Sequence, residues 1–395
     1  MRRHGLRGSF WPTPTQEALL RILLGADDDR ATALWEQLRP LDIDTAEAGS
    51  FCLLPPLHER LSEIAAEDQL LPRLAGTYRS TWYKNQLQLE RLSGLVTLLR
   101  ERAIEPLVVG GAPIAARWYP QLGFRPVPQL ELIVSPDDAA TAREVVREAA
   151  WRPAGRSRAY GRFVNTDGLI LVVHSGVPPY LAGPLQNTAL ATLREAGGQT
   201  TIAGLPVTTL HVADELLWVC ALGARTTIPP SIQWLLDAAQ LLASPERPAV
   251  GAAIARARTF HLVEPLRETV AYLAGISATP DLLDFQRALR AEPVARRDAL
   301  AQHLAGAGGD NLGGAARTLA LYLRTTADEP LRRAVAELPR HLQEVWETET
   351  VEQVPTVALK KLVRIGRARL RERRRGRTAH GRSSASSERN RSALS

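Results

Sequence analysis

The place where two hydrophobic periods alternate limits this chain more than any other feature. Between Pro106 and Thr208, short β-branched runs and amphipathic stretches take turns, and on both sides of that window the pattern is helical. "PLVV" at 106–109 reads as a buried strand closed by Gly110-Gly111, and a helix from Ala112 to Tyr119 follows. A second strand covers 129–134. Ser135, Pro136, Asp137 and Asp138 then supply the cap, the first-turn proline and the dipole-complementing acids of a helix reaching about Ala150. "YGRFV" and "LILVVH" flank the turn formers of "NTDG" and read as a hairpin over 158–174, with a smaller hairpin around Gly204. These elements predict an α+β protein, with a small mixed sheet set between helical regions.

The flanks are read from the 3.6-residue period. Residues 14–105 are helical, most clearly from Leu71 to Leu99, where Leu71, Leu74, Tyr78, Trp82, Leu89, Leu92, Val96 and Leu99 keep steps of three, four or seven and define one buried face. From Val212 onward "ADELLWVCALGA" and "SIQWLLDAAQLL" carry helical apolar stripes. The expected division is a helical region over 1–105, an α/β core over 106–210, a helical region over 211–372 and a disordered Arg-rich tail over 373–395. Packing is the expected role of the tryptophans, including Trp82, Trp118, Trp218 and Trp234.

Charge is uneven. Residues 361–395 hold 12 Lys/Arg against Glu372 and Glu388, so the formal net charge of +7 belongs to one end and the remainder is mildly acidic. Such a tail can neutralise nucleic-acid phosphates without folding. No aromatic residue interleaves with its arginines, however, so base stacking is missing and a solvated tail is the favoured reading. No apolar run long enough to cross a membrane occurs, and Arg2 and Arg3 lead into no apolar segment, which predicts a cytoplasmic protein without a membrane partner. Cys52 and Cys220 are isolated, which excludes a disulfide framework and a cysteine metal cluster and leaves them as core residues.

A strand, a glycine pair at a helix N-terminus and a following strand with polar residues two apart are the parts of a nucleotidyl-transfer site. Glycines let the backbone approach a triphosphate, whose charge the helix N-terminus favours. Side chains at i and i+2 of a strand share a face, so two acids there can hold the pair of divalent ions that clamps attacking and leaving oxygens.

The chain resembles the uncharacterised bacterial nucleotidyltransferase family of the polymerase-beta superfamily over roughly residues 14–245. The resemblance rests on "LLPPLHERL", "YRSTWYKNQLQLERL", "VVGGAPIAARWYPQLGFRPVPQLELIVSPDD", "LILVVHSGV" and "IQWLLDAAQLL". It implies a glycine at the strand-helix turn, matched by Gly111, with Gly110 where a lysine is common. It also implies a Tyr-Pro pair, matched by Tyr119-Pro120, and an arginine before the carboxylate strand, matched by Arg125. Gly110, Gly111 and Arg125 are thereby the implied nucleotide-binding residues. The carboxylate pair falls on Gln129 and Glu131, and the third acid, two residues before a histidine, falls on Val172 ahead of His174.

All three acidic positions depart from the pattern, and Glu131 alone is left as a metal ligand. Magnesium demands near-octahedral oxygen coordination, so one carboxylate is expected to hold Mg2+ poorly. Plainer roles stand beside these: a tight turn for the glycines, a surface-facing position paired with an arginine such as Arg125 for Glu131, a hydrogen-bonded structural role for His174, and capping for Asp137 and Asp138. The expectation is a nucleotidyltransferase-superfamily protein with weakened or lost transfer, which either keeps nucleoside triphosphate binding or acts as a partner protein. The alternatives are a divergent Mg-dependent transferase moving a nucleoside monophosphate to a small molecule, protein or RNA, and a nucleic-acid-associated protein acting through the basic tail.

Overall fold

The computed structural model describes residues 11–360 apart from 26, 39–47, 156–159, 186–187, 224–231, 307–311 and 347–349. The Arg-rich tail and its expected disorder lie outside the described residues. Four helices come first: α1 (Pro14–Leu24), α2 (Asp28–Leu38), α3 (Leu54–Ile64) and the 31-residue α4 (Leu71–Glu101). The mixed section follows, as β1 (Leu107–Val109), α5 (Gly111–Trp118), β2 (Leu130–Val134), α6 (Ala139–Glu148), β3 (Arg152–Pro153), β4 (Tyr160–Val164), β5 (Ile170–Ser175), α7 (Pro179–Ala182), α8 (Ala189–Ala196), β6 (Gly198–Ile202) and β7 (Leu205–Thr209). Then come α9 (Val212–Gly223), α10 (Gln233–Ala243), α11 (Val250–Thr259), α12 (Val263–Ala274), α13 (Pro280–Ala291), α14 (Arg296–Ala305), α15 (Leu312–Thr325) and α16 (Leu331–Val345).

The strands form one mixed sheet in the order β3-β4-β5-β2-β1-β7-β6. β1 runs antiparallel to β2 and parallel to β7, while β2 runs parallel to β5. Strand alternation gives the sheet two apolar faces. Val108, Leu130, Leu132, Val134, Leu171 and Val173 pack with Leu92, Leu95, Val96 and Leu99 of α4 and with Val145 and Val146 of α6. Leu107, Val109 and Ile133 face the other way, into a core shared with α5, α9, α10 and the N-terminal helices. Glu131 and Val172, paired across β2 and β5, occupy this second face.

Local expectations hold where turn chemistry governs. The β4–β5 hairpin closes through Asn165, whose side-chain oxygen accepts from the amides of Asp167 and Leu169. The expected helix start is displaced: Ser135 Oγ accepts from the amide of Asp138 at 3.0 Å within a turn over Pro136, Asp137 and Asp138, and α6 begins only at Ala139, with Asp138 as its N-cap and no acid in its first turn. Trp118, Trp218 and Trp234 are buried, as are Cys52 and Cys220. Trp82 is not; it is 44% exposed. The buried stripe of α4 passes instead through Thr81, Asn85 and Gln88, polar residues that a search for apolar periodicity skips. No helix among the described residues is long and apolar enough to cross a membrane.

Candidate functional site

β1 ends at Gly110, whose φ of 75° opens the sharp turn into α5. A non-glycine residue rarely adopts this conformation. The second glycine is needed for space, because a Cβ at Gly111 would run into the guanidinium of Arg125. A Cβ at Gly110 would meet Glu131 Oε1 at 2.7 Å. The glycine pair thus sits against Arg125 and Glu131 at once, and a cleft of about 900 Å3 opens beside it. Gly110, Gly111, Arg125, Gln129 and Glu131 all line this cleft. Val172 does not line it, although its Cα is in register with that of Glu131 on the neighbouring strand.

The segment before β2 is held from α4. Asn85 Nδ2 donates to the carbonyls of Leu122 and Arg125, Asn85 Oδ1 accepts from the Val127 amide, and Gln88 Nε2 donates to the Val127 carbonyl. This anchorage presents Arg125, which is 6% exposed. Its Nε donates to Asp237 Oδ1 at 2.9 Å and its Nη2 to Asp237 Oδ2 at 2.7 Å, a two-pronged ion pair between the start of β2 and α10. The hydroxyl of Tyr119 also donates to Asp237, and Gln233 Nε2 donates to Tyr119 and Asp237. Burial opposes charge on the guanidinium, but the Asp237 carboxylate overrides it and leaves the Arg125 pKa raised. Burial, reinforced by Asp237, pushes the Tyr119 phenol well above its ordinary value. Both groups therefore hold their protons at neutral pH.

Glu131 has a different partner. The expected ion pair with Arg125 does not form, because Asp237 occupies the guanidinium. Nor is Glu131 a surface residue: it is 6% exposed, and its Oε2 lies 3.2 Å from His174 Nε2. His174 stacks edge-on to Trp218, with ring centroids 6.2 Å apart. The histidine is thus a hydrogen-bonded structural residue, as its position at a strand end suggests, and it orients the glutamate from behind.

Behind α5 lies a third buried acid that the sequence did not single out. Glu215 of α9 accepts from Trp118 Nε1 at 2.6 Å and from Thr209 Oγ1 at 3.4 Å, with Arg117 Nη1 3.9 Å away. Burial raises its pKa to about 7 against the opposing effects of the indole N–H, the guanidinium and the hydroxyl. Sequence reasoning also missed Asp237, Arg73 and Lys84 as cleft residues. A signal for Asp237 was present, since an acid inside the apolar run "IQWLLDAAQLL" needs a cationic partner if that helix is buried.

With this arrangement in view, residues 48–276 match the model of an uncharacterised nucleotidyltransferase family. The chain belongs to that family. Among solved structures it is similar to an antigenic nucleotidyltransferase-like protein from Paracoccidioides brasiliensis, at 15% identity and a TM-score of 0.33, over 51% of this chain and 92% of the other. It is also similar to the antibiotic-resistance factor ANT(2'')-Ia, at 13% identity and a TM-score of 0.29, over 52% of this chain and 92% of the other. No curated protein matches.

Nucleotidyltransferase chemistry draws on divalent ions, and the donors present fit them poorly. Asp237 spends both oxygens on Arg125, and Glu131 spends one on His174. Gln129 offers an amide and Val172 nothing. Among the described residues no group of three or more His, Cys, Asp or Glu side chains is placed to hold a metal ion. The cleft is better furnished with cations and apolar surface: Arg73 and Lys84 reach it from α4, and Phe51, Ile114, Leu222 and Trp234 form much of its wall.

Proposed function

We propose that the protein binds a nucleotide in the cleft at the Gly110-Gly111 turn and has weakened or lost the ability to transfer it. The observation that carries this reading is the fate of the cleft's two acids among the described residues: Asp237 is neutralised by Arg125, and Glu131 is left with one uncommitted oxygen. A two-ion mechanism needs shared carboxylates to bring two divalent cations together. Binding needs less. The backbone at the start of α5 favours phosphate, and Phe51, 43% exposed at the cleft wall, offers a face for a base.

Calorimetry with the four nucleoside triphosphates, run beside a pyrophosphate assay, tests the proposal. Heat of binding without pyrophosphate release is the expected result. Pyrophosphate release by the unaltered protein, abolished by Glu131→Gln, would instead establish a divergent Mg-dependent transferase in which Glu131 is the surviving ligand. The triple change Gln129→Asp, Glu131→Asp and Val172→Glu places acids at two positions in register across β2 and β5 and at Gln129, which lines the cleft just before β2. It is expected to raise magnesium affinity.

A further inference from the structure

Resting on that reading, we propose that the cleft takes its nucleoside triphosphate free of a divalent ion, with Lys84 and Arg73 of α4 supplying the positive charge that magnesium would otherwise bring. Arg73, Thr77, Ser80 and Lys84 recur at steps of four, three and four, so they form one face of α4, and all four line the cleft opposite the glycine turn. Lys84, exposed at the cleft, makes no ion pair among the described residues, whereas the buried Arg125 is committed to Asp237. Ser80 adds a hydroxyl donor between the two cations, while Thr77 Oγ1 gives its proton to the Arg73 carbonyl at 3.1 Å.

Charge balance decides between the two forms of the ligand. A triphosphate without its ion is more anionic than its magnesium complex, so it gains more from ammonium and guanidinium groups and from the helix N-terminus. The magnesium complex would need carboxylate ligands on the protein to gain anything from its metal, and the cleft offers one oxygen of Glu131.

The test is calorimetry of the full chain with ATP, once in excess EDTA and once in excess magnesium chloride. The inference expects binding in EDTA at least as tight as in magnesium. It further expects Lys84→Ala to weaken the EDTA titration by roughly tenfold, the loss of one charge-assisted contact. Thermal melting of the Lys84→Ala variant shows whether its fold is intact, and because Lys84 is exposed on a long helix, little change is expected. Tight binding that appears only with magnesium overturns this inference and leaves nucleotide binding standing. An absence of heat in both titrations overturns nucleotide binding itself.

Discussion

Two buried carboxylates line the same cleft, and they are held in opposite ways. Arg125–Asp237 joins residues 112 positions apart and recruits Tyr119 and Gln233, so that both carboxylate oxygens are occupied. Glu131–His174 joins adjacent strands through a single contact of 3.2 Å and leaves one oxygen toward the glycine turn. The first pair holds the cleft together. The second sits where transfer chemistry would be done and holds little. Of the two cleft carboxylates, Asp237 has both oxygens bonded to Arg125 and Glu131 has one bonded to His174.

The comparison is sharpest at Arg125. Arg125→Ala leaves Asp237 buried without its cation and is expected to cost about 3–5 kcal/mol in chemical denaturation. A loss below about 1 kcal/mol would mean that the pair is not structural. A smaller but pH-dependent effect is expected at Glu215, which braces α5 from behind. Its folded-state pKa of about 7 lies above the ordinary carboxylate value of 4.5. The folded form therefore binds the proton more tightly than the unfolded chain. The stability this gives is fully present below the unfolded pKa and is lost as pH rises through about 7. Denaturation midpoints compared between pH 4.5 and pH 8 should show a loss of roughly 3 kcal/mol that Glu215→Gln removes. The smallest effect belongs to the second pair. Glu131→Gln keeps an acceptor for His174 and is expected to shift stability by less than about 1 kcal/mol. A shift as large as that of Arg125→Ala would erase the contrast between frame and chemistry.

Much of this was legible in the sequence because it depends on near neighbours. The β-branched run before Gly110-Gly111 and the turn formers of the β4–β5 hairpin each act over a few residues, and each lies where the pattern put it, whereas Ser135 closes a turn and α6 starts four residues later. Of the positions picked out by residue type and spacing, Gly110, Gly111, Arg125, Gln129 and Glu131 line one cleft, and Val172 does not. What failed involved partners distant in the chain or a departure from apolar periodicity. The carboxylate for Arg125 comes from Asp237, which local spacing cannot show, so Glu131 was given a partner already taken. Trp82 was assigned to the buried face of α4 because apolar residues alone were counted. The stripe is polar there, since Asn85 and Gln88 turn inward to bond the backbone between Leu122 and Val127.

That inward-facing amide clamp has a mechanical side. The stretch from Arg125 to Pro128 is fastened to α4 by side-chain bonds at Arg125 and Val127, and Pro126 and Pro128 fix their own backbone torsions in between. One bank of the cleft is therefore rigid up to Gln129, and accommodation of an incoming molecule falls to the long, rotatable side chains on the opposite bank.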